Sequence, residues 1–331
     1  MNTRAERPAL PCIALIGSGK WMRSHHLPLA RRLEDQGELV IAGLWNRTVS
    51  TARTLAGLHG VSHVYESIEE LLADQSVTGA VVCVSKEAVY RVLSRIASRG
   101  WPLLVEKPPG NSVEEAQHLT DMIGDRAIVG FNRRFAPSVG RFKALLEESA
   151  PVYHIECQFT RRKRSDSRFV TETGIHAIDL IRWLLGPVSS VHARAYTAKA
   201  VDGGAPVISH WHASLEFDCG ASAHISFLPH SGFSGERYTA YAPDRTIVLD
   251  YACYHCDGSE SRVTSYNADG EISTFERMPG ECDPYREEGF VHEYHAFLDL
   301  VAGGTPSIST VSSACSSLEI AEQIQSGEIT D

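Results

Sequence analysis

The sequence predicts an α/β protein: a doubly wound parallel sheet at the N-terminal side, then a second α/β domain built on a large open, mostly antiparallel sheet. Three observations carry that expectation. The first 130 residues alternate short continuous apolar runs with amphipathic stretches, which is how strands covered on both faces by helices read. From about residue 151 the runs become alternating and β-rich, joined by Gly, Asp and Pro turns. The first apolar run also ends in Gly17-Ser18-Gly19, where a helix opens.

The elements follow in order. CIALIG (12–17) is a buried strand, Trp21 to Leu33 a helix, and LVIAGLW (39–45) a second strand. Thr48 to Leu58 is helical. Ser67 caps a further helix, with Glu70 completing a capping box. AVVCV (80–84) is a strand, and Lys86 to Ser98 a helix with Val89, Val92, Leu93 and Ile96 on one face. LLVE (103–106) is a strand. Ser112, with Glu115, caps the next helix, and AIVGF (127–131) closes the series. In the second half HIECQF, VHARAYTA, HASLEF, SAHISF, RYTAYA and RTIVLDY are sheet strands. Helices run from about Gly174 to Leu185 and from Glu287 to Ala302, the latter with Phe290, Tyr294, Phe297, Leu298 and Val301 on one face. The last helix, about 312–325, is expected to pack back on the first domain.

Composition narrows the function. The chain has 331 residues, enough for two domains, and is 43% hydrophobic and 22% charged, as a protein with a sizeable core should be. The net charge of −10 disfavours a nucleic-acid partner, which calls for a basic face. The opening MNTRAERPAL is polar, and no run approaches the roughly 18 apolar residues of a membrane span. A cytoplasmic protein without a membrane partner is therefore expected. Eight cysteines are scattered, mostly within apolar runs. Cys253 and Cys256 form a C-x-x-C with His255 between them and Cys282 downstream, but no second pair stands at zinc-finger spacing. No metal is expected.

The glycine turn suits a pyrophosphate. Glycines let the backbone approach the ligand, and a helix N-terminus offers N–H donors and a positive dipole. Met22 stands at the third position of G-x-G-x-x-G, so the fingerprint is incomplete. Gly17, Ser18, Gly19, Lys20 and Trp21 are the candidate cofactor residues here. The second strand ends Trp45-Asn46-Arg47-Thr48, with no acid between Leu39 and Thr48. An NAD site usually carries Asp or Glu at that point to hold the ribose 2′-OH, and a carboxylate repels a 2′-phosphate. Asn46 and Arg47 therefore favour NADP(H), with NAD as the alternative. Val84 and Ser85 at the end of the third strand, Glu106 and Lys107 at the tip of LLVEKPPG (103–110), and Arg134 after the last strand complete the candidate cofactor set. Strand tips of this kind line the ligand crevice of open α/β sheets.

These parts resemble the Gfo/Idh/MocA family of oxidoreductases. The resemblance rests on IGSGKWMRSHHLPLA (16–30), EKPPGNS (106–112), FNRRFAP (131–137), ETGIHAIDLIRWLLG (172–186) and GFVHEYHAFLDLVAGG (289–304), and it covers nearly the whole chain. It implies a Rossmann dinucleotide-binding domain over 1–130 and a substrate-binding and oligomerisation domain over 131–331. It implies a homodimer or homotetramer joined through the open sheet. It further implies NAD(P)-dependent hydride transfer at a carbon of a sugar or cyclitol, and a cis bond before Pro108. The family's lysine beside the reacting oxygen falls on Lys107. Its acid/base histidine falls on His176, and its aspartates on Glu172 and Asp179. Two departures stand out. The first acid is a glutamate, and RRKRSDSRFV replaces the usual glycine run. Arg161, Arg162, Lys163 and Arg164 are accordingly either receptors for an anionic substrate group or a solvated loop, with Arg161 the candidate substrate contact.

The chemistry is consistent with those types. Hydride transfer at an oxygen-bearing carbon needs a proton to move at that oxygen. Lys107 is suited to hydrogen-bond a developing alkoxide, His176 to exchange the proton, and Asp179, three residues on, to orient the imidazole or hold a substrate hydroxyl. Glu172 is a further catalytic candidate. The expected function is an NADP-dependent dehydrogenase or reductase of a sugar-like or cyclitol substrate, free or nucleotide-activated. A glycoside hydrolase of the same fold using tightly held NAD, an imine reductase, and a non-catalytic nucleotide sensor are the alternatives.

Overall fold

The computed structural model describes residues 10–164, 168–198, 207–253, 260–276, 283–305 and 308–330. His255, Cys256 and Cys282 lie outside them. The chain divides into two compact units. The first joins residues 1–130 with 293–312, and the second joins 131–292 with 313–331.

The first unit is a five-stranded sheet. Its strands are β1 (Cys12–Ile16), β2 (Val40–Trp45), β3 (Gly79–Val82), β4 (Leu103–Val105) and β5 (Ala127–Val129), in the order β2-β1-β3-β4-β5. Every pairing is parallel. Crossover helices α1 (Leu27–Asp35), α2 (Val49–His59), α3 (Ile68–Ala73), α4 (Lys86–Ile96) and α5 (Val113–Ile123) connect them. β3, β4 and β5 are buried throughout, which is why their sequences are unbroken apolar runs.

The capping serines act as read, with a shift. Ser67 Oγ accepts from Glu70 N at 3.0 Å, and Ser112 Oγ from Glu115 N at 3.3 Å. The reciprocal carboxylate bond lands one residue before the cap, on the N–H of Glu66 and of Asn111. Each cap stabilises its helix by about 1 kcal/mol. The helix expected from Trp21 starts as a π-helical turn, Met22–His26, before α1.

The second unit opens with α6 (Pro137–Glu148), whose first position is proline, as helix starts favour. β6 (His154–Thr160), α7 (Ile175–Leu185), β7 (Val188–Ala198), β8 (Val207–Phe217), β9 (Ser222–Leu228), β10 (Gly235–Ala242), β11 (Arg245–Tyr251), β12 (Arg262–Asn267) and β13 (Gly270–Glu276) follow. Three helices come next, α8 (Pro284–Glu287), α9 (Phe290–Val301) and α10 (Val311–Gln325), and then the short β14 (Glu328–Thr330). The nine strands form one sheet, β13-β12-β11-β10-β6-β9-β8-β7-β14. All its pairings are antiparallel except β6 with β9 and β14 with β7. One face is core: Ile155, Cys157, Phe159, Leu215, Ile225, Phe227, Tyr238 and Leu249 are buried. Burying each such side chain contributes about 1.5–3 kcal/mol. The alternate positions, such as Glu156, Gln158, His212 and His224, make the open polar face.

The return of the chain differs from expectation. Residues 293–312, which include most of α9, belong to the first unit, whereas α10 from Ser313 onward belongs to the second. The reason lies in the partners. Ser309 exchanges hydrogen bonds with Val129 of β5 (2.8 and 2.7 Å). On α10, Ser317 bonds Asp179 and Gln325 bonds the Val170 N–H.

Candidate cofactor and active site

The tips of β1, β2 and β3 are stitched together at the glycine turn. Gly17 donates to the Trp45 carbonyl at 2.8 Å. Its φ is +112°, and a Cβ there would lie 2.0 Å from the Cys83 carbonyl oxygen. The fold itself therefore demands glycine at 17. Gly19 is different, since nothing stands within 4 Å of where its Cβ would be. That open space is what a close ligand needs.

Beside this turn lies a cleft of about 490 Å³ within the first unit, in the size range of small-molecule sites. Gly17, Ser18, Gly19, Asn46, Arg47, Val84 and Ser85 line it, as do Trp45, Thr48, Thr51, Ile68, Cys83, Ala88, Arg91, Val92 and Arg95. The lining contains no carboxylate. Such a set fits a dinucleotide: a backbone cradle, hydroxyls, an apolar floor and cations. Lys20 and Trp21 are not part of the lining; Trp21 instead stacks on His25, ring centres 3.6 Å apart. Thr48 and Thr51 at the start of α2, and Arg91 and Arg95 on α4, carry no sequence signal that turns those helix faces toward this cleft.

The E-K-P strand tip is held from below. His26 Nε2 lies 2.8 Å from Glu106 Oε1, and His26 Nδ1 3.2 Å from the Tyr294 hydroxyl, which also donates to the His26 carbonyl at 3.1 Å. Glu106 Oε2 accepts from the Lys107 N–H at 3.2 Å. Burial pushes the Glu106 carboxyl up, but the His26 hydrogen bond and charge, together with Lys107, outweigh it and hold the group below the usual range. The Lys107–Pro108 bond is cis. His26 was visible in SHHLPLA and Tyr294 on its helix face, but no spacing rule joins residues so far apart.

In the second unit Glu172 sits in a π-helical turn, Val170–Gly174, that leads into α7. Insertions of this kind recur at functional sites. Gly174 lets the turn approach β9, since a Cβ there would lie 2.7 Å from the Phe227 ring. His176 follows, buried and edge-on to Phe131. Glu172 is partly exposed.

Three of the expected ligand contacts are paired within the protein. Asp179 is 1% exposed and faces its own protein: Arg134 Nε and Nη2 bind its two oxygens at 2.7 and 2.6 Å, and Ser317 adds a bond at 2.9 Å. The carboxylate of Asp179 and the guanidinium of Arg134 thus hold each other within the second unit. Arg161 is not a solvated loop residue. It is buried over the Phe159 ring and bonds Glu236 at 2.5 Å. Glu236 also takes Arg133 and the Tyr238 hydroxyl. Burial raises the Glu236 carboxyl, but Arg133 and Arg161 pull it down to about 2. The adjoining Arg162 and Lys163 are exposed, and Arg164 reaches the Thr173 hydroxyl.

Among the described residues no group of three His, Cys, Asp or Glu side chains forms a metal site, and no helix is long and apolar enough to cross a membrane.

A parallel five-stranded βαβ sheet with this glycine turn and cleft, in a chain that continues into a nine-stranded mixed sheet, defines a two-unit dinucleotide-binding class. Comparison with known proteins narrows it. Residues 12–132 match the oxidoreductase family with an NAD-binding Rossmann fold, and residues 148–248 match the GFO/IDH/MocA C-terminal domain. The chain belongs to the Gfo/Idh/MocA family. The rhizopine catabolism protein MocA of Rhizobium meliloti is 25% identical over 205 residues, 58% of this chain; the match spans only 62% of that relative's length. The scyllo-inositol 2-dehydrogenase (NAD(+)) of Bacillus subtilis is 25% identical over 329 residues, 93% of this chain and 91% of that one. The structure of a dehydrogenase from Chromobacterium violaceum shares the fold, with a TM-score of 0.81 at 18% identity over 97% of this chain and 96% of that one.

Proposed function

We propose that the protein is an NADP(H)-dependent oxidoreductase acting at a hydroxyl- or keto-bearing carbon of a sugar or cyclitol. The observation that carries the cofactor choice is the end of β2, where Asn46 and Arg47 line a cleft without a carboxylate. The bound nicotinamide supplies or accepts the hydride. Gly17, Ser18 and Gly19 cradle the pyrophosphate. Lys107 hydrogen-bonds the reacting oxygen, His176 exchanges its proton, and Glu172 holds a substrate hydroxyl. The cyclitol class is supported by the scyllo-inositol dehydrogenase, which aligns along nearly its full length. Self-association through the open face of the nine-stranded sheet belongs to the same reading.

The test is turnover with NADPH and with NADH across a panel of polyols and keto-sugars, with Lys107→Ala and His176→Ala alongside. Turnover should favour NADPH and fall about 10²- to 10⁴-fold in either variant. Unchanged turnover in Lys107→Ala overturns the mechanism, and tighter binding of NADH than of NADPH overturns the cofactor choice.

A further inference from the structure

We infer that Arg91 on α4 is a second cation for the phosphate on the adenosine ribose, acting with Arg47 and setting the preference for a phosphorylated dinucleotide. The inference rests on the NADP(H) reading above and adds a residue that the glycine turn and the β2 end do not reveal.

α4 presents Ala88, Arg91, Val92 and Arg95 to the cleft. The spacing of three, four and seven residues from Ala88 puts them on one helical face. Val92 is buried and forms part of the floor, Ala88 is small, and the arginines are exposed. The cleft thus draws cations from two elements, Arg47 from the end of β2 and Arg91 and Arg95 from α4.

Their charges are not equally available. Arg95 is paired with Glu69. Nearby Arg53, which is not part of the lining, is paired with Glu66 at 2.6 Å. Arg47 and Arg91 make no hydrogen bond or ion pair among the described residues. Two uncommitted guanidinium groups therefore face a cleft without an acid, in a chain whose net charge is −10. Local positive potential in an acidic protein concentrates an anion at that place.

The ligand's chemistry asks for two such groups. A phosphate monoester carries between one and two negative charges near neutral pH, with three acceptor oxygens. One guanidinium neutralises one charge and makes two hydrogen bonds, so a second cation matches the remainder. The Thr48 and Thr51 hydroxyls, on the same lining, are further donors for the phosphate oxygens.

The experiment is calorimetric titration of the full chain with adenosine 2′,5′-bisphosphate and with 5′-AMP at fixed low ionic strength. Wild type, Arg91→Ala and Arg53→Ala are compared. Wild type should prefer the bisphosphate. Arg91→Ala should cut that preference at least about tenfold while leaving 5′-AMP affinity unchanged. Arg53→Ala should match wild type. Equal losses for both nucleotides would show that Arg91 stacks on the base, and would overturn the inference. So would an untouched preference in Arg91→Ala, or an equal loss in Arg53→Ala, which would mark a general effect of net charge. Wild type binding 5′-AMP as tightly as the bisphosphate overturns the NADP(H) reading itself, a different result from any of these.

Discussion

His26 and Glu106 meet at 2.8 Å inside the first unit, imidazole Nε2 to carboxylate Oε1, with the imidazole 1% exposed. The carboxylate stands directly before Lys107 and also binds that residue's N–H. His26→Ala would leave a nearly buried carboxylate without its main partner, at a cost of about 1–3 kcal/mol in urea unfolding. The sign with pH follows from the direction of the shift. Glu106 titrates below its ordinary range in the folded protein, so its contribution is present above the ordinary carboxylate pKa and lost as pH falls through the folded value. His26→Ala should flatten that acid limb, and an unchanged limb would contradict the pairing.

Arg134 and Asp179 form a buried pair in the second unit. Arg134→Ala strands the carboxylate and should cost about 3–5 kcal/mol. Arg134→Met with Asp179→Leu removes both charges and should recover most of that loss, because a well-packed apolar pair avoids desolvation. Chemical denaturation of Arg134→Ala, of Arg134→Met and Asp179→Leu singly, and of the double variant would show it. A double variant as unstable as its worse parent would mean that the pair does more than satisfy itself.

The two glycines of the turn should separate folding from binding. Gly17→Ala drives a methyl into the Cys83 carbonyl at a backbone angle L-residues rarely adopt, and should lower the melting temperature by several degrees, roughly 2–4 °C per kcal/mol lost. Gly19→Ala meets open space, so its melting temperature should stay near wild type while its affinity for NADPH drops. Differential scanning calorimetry with and without nucleotide distinguishes the two cases.

Glu288 gives a pH signature of opposite sign. Burial pushes its carboxyl from 4.5 to about 8, partly offset by Arg133 and reinforced by Cys253 and Glu236. The folded protein keeps a proton there that the unfolded chain releases, so stability falls as pH rises between those two values and levels off above the upper one. Glu288→Gln should remove this decline. Melting curves for wild type and variant from about pH 5 to pH 9 would measure it, and parallel curves would contradict the assignment.

Much of this molecule is written in local pattern. The five parallel strands are apolar runs because β3, β4 and β5 are buried on every side. The Ser67 and Ser112 caps and the end of β2 were equally legible. The gaps arise where the determinant is distant. Arg161 reads as part of a basic loop, and only the register of β6 against β10 brings it to Glu236. Asp179 shares a helix face with His176, yet Arg134 and Ser317 claim its oxygens. Arg91 looks like any exposed helix cation until the strand order sets α4 beside Arg47. The β12–β13 hairpin shows only weak apolar alternation, and α6 is marked at its start by little more than Pro137.

The first unit is assembled from two separated stretches of chain, 1–130 and 293–312. Cutting after Gly130 would discard Tyr294, which holds His26, the buried Phe297, and Ser309, which pairs with β5. A nucleotide-binding fragment made by simple truncation would thus lack the far strut of its own lysine-bearing strand tip. A workable excision must splice the returning segment onto Gly130 through a linker, so gene fusions and domain swaps among relatives should be drawn with three junctions rather than one.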